Sequence, residues 1–358
     1  MENKNLENIC ILIPSLDPDN NLPVYIDELI KLDFKHIVLV DDGSAKENKH
    51  FFDELVNKYN QITLLVHEVN KGKGRALKTG IKYIADNMSN VVGIVTADAD
   101  GQHSPIDTLK VSNRLLETNQ VVFGTRNFNE EIVPFKSRNG NKITTIVFKL
   151  LYGKTVNDTQ TGLRGLPIDF AKDCLDIKGD RFEYEIAMLI KAVKDNYEIV
   201  EEPIETIYIN SNRATHFNAF KDSFKIYKVM LKEFITFSLS SLSSSVVDAL
   251  LYGILVKTVF NPDKLSTGIL ISTVLARIVS SIYNYLMNKN KVFKSSASTS
   301  NTLVKYFILS VFIMLASSLL VTILFNLTHI ESIIIKIIVD TCLFFVSYKV
   351  QKNYIFKD

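Results

Sequence analysis

With 358 residues the chain exceeds one average domain, and its last third is too apolar for the whole of it to be soluble. Its 41 Lys and Arg nearly balance 39 Asp and Glu, so net charge gives no sign of a nucleic-acid partner. Three cysteines, Cys10, Cys174 and Cys342, lie far apart without CxxC or metal-type spacing, which argues against a disulfide frame or zinc site and suits a reducing compartment.

The first residues run straight into a strand, with no basic region followed by an apolar segment, so no cleaved targeting peptide is expected. From Ile9 to about Gln120 apolar runs alternate with helical stretches, the mark of βαβ units and a mostly parallel sheet. The predicted strands are Ile9–Ile13, Ile37–Val40, Ile62–Val66, Gly93–Ala97 and Val121–Gly124. Amphipathic helices are expected at Leu22–Leu32, Lys46–Tyr59, Gly74–Met88 and Asp107–Thr118. Ligands on such sheets bind beyond the carboxyl ends of the strands, so the residues just after each strand are the candidates.

Those residues are chemically loaded. Pro14-Ser15-Leu16-Asp17-Pro18-Asp19 follows the first strand, and Asp41-Asp42-Gly43-Ser44 follows the second. Asn70-Lys71-Gly72-Lys73-Gly74-Arg75-Ala76 follows the third and opens a helix. Three cations there oppose the helix dipole, so an anion such as a diphosphate is expected to explain them. The fourth strand ends at Asp98-Ala99-Asp100-Gly101-Gln102-His103. On extended backbone, residues two apart point the same way, which would converge Asp98, Asp100 and Gln102 on one half-open site for Mg²⁺ or Mn²⁺. Each stretch alone also reads as a capped turn.

Downstream, Gly124-Thr125-Arg126 ends the fifth strand, and Arg138 and Lys142 follow. Arginine's planar fork suits a phosphate. Then come Asp158-Thr159-Gln160-Thr161-Gly162-Leu163-Arg164-Gly165 and the acidic helix start Arg181-Phe182-Glu183-Tyr184-Glu185.

Together these motifs resemble family 2 glycosyltransferases of the dolichol-phosphate mannosyltransferase and polyprenyl-phosphate type, over about Asn8 to Tyr227. The resemblance implies a GT-A α/β fold, a nucleotide-sugar donor, a divalent ion and a polyprenyl phosphate acceptor. It implies metal ligation by Asp98, Asp100 and Gln102, and donor contacts from these three with Pro14, Asp17, Asp42, Lys71, Lys73, Asp158 and Arg213. It puts acceptor phosphate at Arg126 and Arg138, with Lys142 beside them, and gives Asp100, Arg126 and Glu185 the catalytic roles, Glu185 orienting the sugar. One departure is that Leu16-Asp17-Pro18 stands where the family commonly has Tyr-Asn-Glu, which leaves UDP against GDP open. The chain has no Trp, so the Gln-x-x-Arg-Trp clamp of processive synthases is missing.

From Phe217 to Phe234 aromatic and apolar residues at helical spacing interleave with Lys221, Lys225, Lys228 and Lys232, the pattern of a basic helix in the headgroup layer. Four stretches of membrane-spanning length follow: Phe234–Val256, Thr267–Met287, Val304–Leu327 and Ile333–Val350. Lys289, Lys291, Lys294, Lys349, Lys352 and Lys357 fall on one side, which the positive-inside rule makes cytoplasmic. Asp248, Arg277 and Asp340 sit at depth, where pairing of Arg277 with Asp248 or Asp340 is expected, or else a polar path for a lipid headgroup. Ala276-Arg277-Ile278-Val279-Ser280 with Asn284-Tyr285 and Asn288-Lys289, and Asp340-Thr341 with Ser347-Tyr348-Lys349-Val350-Gln351, resemble GtrA-like four-helix membrane proteins.

The resulting expectation is a GT-A domain over 1–215, an interfacial helix over 216–233 and an all-α four-helix transmembrane domain over 234–358. The activity expected is inverting transfer of a hexose from a UDP- or GDP-sugar to undecaprenyl or dolichyl phosphate. The protein would be multi-pass in the cell membrane with a cytoplasmic catalytic domain, no nucleic-acid partner and room for a homo-oligomer. The alternative is a lipid-linked sugar translocator whose soluble part only binds nucleotide sugar.

Overall fold

The structure is a computed structural model that describes residues 5–131, 133–207, 219–258 and 265–357. The chain divides into two compact units, Met1–Met230 and Leu231–Asp358.

Among the described residues of the first unit seven strands form one sheet: β1 (Ile9–Ser15), β2 (His36–Asp41), β3 (Ile62–Val66), β4 (Gly93–Thr96), β5 (Val121–Arg126), β6 (Arg164–Pro167) and β7 (Ile199–Ile204). Their order is β3-β2-β1-β4-β6-β5-β7. The β1–β2, β1–β4, β2–β3 and β5–β7 pairs are parallel, while β6 runs antiparallel to both β4 and β5. The five expected strands form within two residues of their expected ends; β6 and β7 are additions.

Helices α1 (Asn21–Lys31), α2 (His50–Lys58), α3 (Lys73–Asn87) and α4 (Pro105–Thr118) lie between the first five strands. The expected Lys46–Tyr59 helix is divided, with a short 3-10 turn at Lys46–Asn48 before α2. Every residue of β1 is buried because the two faces of the strand have separate helical covers. Ile9, Ile11 and Ile13 join the core built with α1, α2 and α4, whereas Leu12 meets Gly80 of α3. Ser104 caps α4 by accepting from the Asp107 amide, with Pro105 opening the helix. The unit continues through α5 (Phe135–Tyr152), α6 (Ile168–Asp173) and α7 (Glu183–Lys194) into α8 (Ala219–Thr258), whose first part belongs to this unit.

In the second unit, α8 is followed by α9 (Leu265–Met287), α10 (Thr299–Thr328) and α11 (Ser332–Val350). Among the described residues three helices, Lys221–Thr258, Gly268–Phe293 and Thr299–Thr328, are long and apolar enough to cross a membrane. The fourth expected span, α11, has 19 residues and carries Lys336, Asp340 and Lys349. Arg277 pairs with Asp248 at 3.4 Å, and Asp340 pairs instead with Lys336. Polar residues cross-link the helices: Ser244 donates to the Ser280 carbonyl, Tyr306 to Asn284, and Asn288 to both Asn284 and Gln351. Lys289, expected as a topology signal, is a buried tie whose ammonium donates to the Ala297 carbonyl and the Thr299 hydroxyl.

Candidate active site

A cavity of about 710 Å³ opens past the carboxyl ends of β1, β2 and β4. Pro14 and Asp17 follow β1, Asp42 follows β2, and Asn70, Gly72 and Lys73 open α3. Asp98, Asp100 and Gln102 follow β4, and Arg126 ends β5. Lys136, Gly140 and Thr144 of α5, Glu185 of α7 and Tyr227 of α8 complete the wall.

At its floor Lys73 bridges two acids, with Nζ 2.6 Å from Asp98 Oδ1 and 3.0 Å from Glu185 Oε1. Burial would push this ammonium toward neutrality, but the charges of Asp98 and Glu185 outweigh it and raise its pKa. Burial likewise opposes the Asp98 carboxylate, yet Lys73 and the His103 imidazole, 3.3 Å from Oδ2, hold its pKa far below the ordinary range. Asp100 differs: burial first, and then the charge of Asp98, raise its pKa. Asp98 is thus balanced by Lys73 and His103, whereas its neighbour Asp100 is a carboxylate whose charged form burial and Asp98 disfavour.

Gly162 is required here by close approach. A Cβ on it would lie 2.2 Å from Asp98 Oδ2, and its carbonyl accepts a 2.8 Å hydrogen bond from Thr96. The Asp158–Gly165 stretch is therefore laid directly against the floor. Its Arg164 is a fully buried strut that opens β6, donating to the carbonyls of Thr161 and Glu185 over the Phe123 ring. Arg164 thus holds the start of α7, from which Glu185 reaches the cavity.

Several expectations change. Asp98, Asp100 and Gln102 do line one cavity, but extended backbone does not align them: β4 stops at Thr96, and the Gln102 amide closes a turn on Asp100 Oδ1 at 3.1 Å. Two of the three cations of the Asn70–Ala76 stretch have protein anions. Lys73 is held as described, Arg75 pairs with Asp180, and Lys71 is exposed and off the cavity wall. Gly72 is there because a Cβ would meet the Asp180 carbonyl at 2.3 Å, in a backbone with φ +100°. Asp42 accepts from the amides of Lys71 and Gly72 and from His67, so it fixes this loop as well as lining the cavity.

Arg126 forms a two-pronged pair with buried Asp158, at 2.7 and 3.2 Å, and lies over Phe128. Arg138 and Lys142 do not line the cavity: Arg138 donates to the Glu130 carbonyl, and Lys142 is exposed. Lys136, passed over in the sequence, takes their place on the wall. The Tyr227 hydroxyl, 3.1 Å from Thr144, brings α8 to the same wall. Arg213 lies outside the described residues.

Among the described residues no three His, Cys, Asp or Glu side chains gather as a metal cluster. The set Asp98, Asp100 and Gln102 fits a hard divalent ion on other grounds. It is all oxygen, it opens on the cavity, and it leaves coordination positions for phosphate oxygens and water.

Residues 10–170 match the model of glycosyl transferase family 2, and residues 236–356 match the GtrA/DPMS transmembrane domain. An uncharacterised protein of Methanocaldococcus jannaschii is 32% identical over 230 residues, covering 62% of this chain and 92% of its own. The UDP-N-acetylglucosamine–dolichyl-phosphate N-acetylglucosaminyltransferase of Methanococcus voltae is 30% identical over 244 residues, covering 62% and 94%. Among solved structures, mannosyl-3-phosphoglycerate synthase from Rubrobacter xylanophilus aligns with a TM-score of 0.47 at 16% identity, covering 62% of this chain and 71% of that one. The chain is therefore a glycosyltransferase of family 2, with a GtrA/DPMS transmembrane domain on the same polypeptide.

Proposed function

We propose that the protein transfers a hexose from a UDP- or GDP-sugar to a polyprenyl phosphate, with inversion, at the cytoplasmic face of the cell membrane. The observation that carries this reading is one cavity on which the strand-end acids, Lys73, Glu185 and Arg126 converge, with Arg126 held from behind by buried Asp158. Asp98, Asp100 and Gln102 would hold Mg²⁺ or Mn²⁺, which when bound neutralises charge on the departing nucleoside diphosphate. Lys73 fixes the orientation of Asp98 and of Glu185, whose second oxygen is left to orient the sugar. A phosphate monoester with a second pKa of about 6 is already ionised at neutral pH, so the acceptor needs no dedicated base. The remaining task is to hold two anionic reactants in line, for which Lys136 and the Arg126 guanidinium supply charge on the acceptor side.

A lipid acceptor suits the outer surface of the first unit. Phe135, Ile143, Ile146 and Leu150 of α5 and Phe224 of α8 are all exposed, bordered by exposed Lys142, Lys149 and Lys228, as in a segment that enters a headgroup layer. The dolichyl-phosphate transferase from Methanococcus voltae supports the acceptor class and makes UDP-N-acetylglucosamine the first donor to try. We read α11 as a fourth span, which returns the chain to its starting side. The test is transfer of radiolabel from a panel of UDP- and GDP-sugars into extractable lipid by the full chain with polyprenyl phosphate and Mn²⁺. Label from one donor is expected; no label from any donor, with folded protein, overturns the reading.

A further inference from the structure

His67 lies one residue beyond β3, where its amide donates to the Asp41 carbonyl at 2.8 Å and carries the β2–β3 pairing past the strand end. The ring is buried between two partners. Nδ1 is 2.7 Å from Asp42 Oδ1, and Nε2 is 3.0 Å from the Thr79 hydroxyl of α3. A carboxylate only accepts, so Nδ1 carries a proton and donates it. The loops after β2 and β3 are pressed together here: a Cβ on Gly43, whose φ is +82°, would lie 2.4 Å from the Val69 carbonyl carbon.

A carboxylate has about four acceptor positions, and Asp42 has most of its own filled. Oδ1 accepts from His67 and from the Lys71 amide, at 2.7 and 3.0 Å, and Oδ2 accepts from the Gly72 amide at 2.7 Å. One position on Oδ2 is left, on a side chain that lines the cavity. Two other acids of the wall are turned to the protein: Asp17 accepts from the Ala45 amide and Asn48, and Asp19 accepts from Asn21.

Sheet order decides what meets the open position. Asp42 follows β2, two strands or about 10 Å from the Asp98–Asp100 stretch after β4, on the side away from Arg126 of β5. Among the described residues, the wall that follows β1 and β2 is apolar and acidic, with no cation. It repels phosphate, so a donor's diphosphate lies toward β4 and β5 and its base lies against Pro14, Leu16, Pro18 and Asp42. Uracil offers a carboxylate one ring N–H. Guanine offers a ring N–H and an amino N–H side by side, which suit a carboxylate with both oxygens open.

We propose that His67 is a specificity-determining positioning residue: by filling Asp42 it leaves one acceptor position, so that the donor base is uracil rather than guanine. The presence of a nucleotide-sugar donor rests on the function proposed above; the hydrogen-bond count at Asp42 does not.

The test is calorimetric titration of the full chain in detergent, with Mn²⁺, by UDP, GDP, IDP and UDP methylated on its uracil ring nitrogen. UDP should bind about tenfold tighter than GDP, and methylated UDP about tenfold weaker than UDP or worse. IDP, which lacks guanine's amino group, should bind as tightly as GDP or tighter. His67→Leu frees a position on Oδ1 and should bring UDP and GDP within about threefold of each other. His67→Asn, whose amide nitrogen replaces Nδ1, should restore the native ratio; a merely structural ring would weaken both nucleotides alike. GDP as tight as UDP, GDP about tenfold tighter than IDP, methylated UDP equal to UDP, or an unchanged ratio in folded His67→Leu each overturns the proposal. Should His67→Leu not fold, IDP and methylated UDP on native protein decide. A preference for GDP overturns this inference and leaves sugar transfer to lipid standing, whereas no binding of any nucleotide overturns the proposed function with it.

Discussion

Gly162→Ala tests the packing of the Asp158–Gly165 stretch against the acidic floor. The new Cβ would sit 2.2 Å from Asp98 Oδ2, 2.7 Å from Cγ and 2.8 Å from Oδ1, so no rotation of the carboxylate escapes it. An ordinary contact begins at 3.4 Å, which requires the acid to retreat by about 1.2 Å or the loop to lift by as much. Gly162 is not in the left-handed region, so alanine brings no backbone strain of its own. A displacement of about 1 Å at a reacting centre costs on the order of 10²-fold in rate. Turnover should therefore fall about a hundredfold in lipid-labelling initial rates, while circular dichroism shows a folded protein melting within about 5 °C of native. A folded variant with native turnover and unchanged metal dependence would refute the placement of Asp98 at the chemistry.

Four further outcomes are expected. Asp100 is raised by burial and by Asp98, so its ionised form costs stability at neutral pH; Asp100→Asn should melt higher than native without metal, by a margin that shrinks on acidification, and should lose any Mn²⁺-induced gain. Asp98 is depressed, so its contribution is fully present above the unfolded carboxyl value of about 3.9 and lost only as pH falls toward the much lower folded value. Lys73→Met removes the cation responsible and should begin to lose stability at higher pH in acid melts; matching acid limbs would count against the pair. Asp158→Ala removes the two-pronged partner of the partly buried Arg126 guanidinium and should cost about 3–5 kcal/mol in denaturant unfolding. Lys136→Ala should raise the KM for polyprenyl phosphate about five- to tenfold, with Arg138→Ala and Lys142→Ala unchanged.

The parallel half of the sheet was legible because its signals are local: short β-branched runs, each ending on polar residues. β6 was not, since Arg164-Gly165-Leu166-Pro167 has little strand preference of its own and is held by antiparallel pairing on both sides. β7 hides two glutamates and a proline in a six-residue strand, with β5 as its partner. Helix phase puts Arg138 and Lys142 of α5 off the cavity wall, which their place after the fifth strand does not reveal. On α5 the exposed face is apolar, with Phe135, Ile143, Ile146 and Leu150, while Asn141 and Thr144 are buried. Phe148 and Leu151 are buried on the same face as Asn141 and Thr144, so α5 carries apolar residues on both its inward and its outward side. On α8 Asp222 is buried beside Ile226 and Met230, while Phe224 is exposed on the other side. At Asn70–Ala76 the sequence suggests a ligand diphosphate as the partner of the cations; within the protein Lys73 and Arg75 pair with Asp98, Glu185 and Asp180, which are distant in sequence and invisible to a local pattern.

The most direct test compares native protein with Asp100→Asn in transfer of labelled sugar to polyprenyl phosphate, with Mn²⁺ and with EDTA. The account predicts label in lipid only for native protein with metal, and a folded but inactive variant. Equal labelling by the two proteins, or label that survives EDTA, would contradict it.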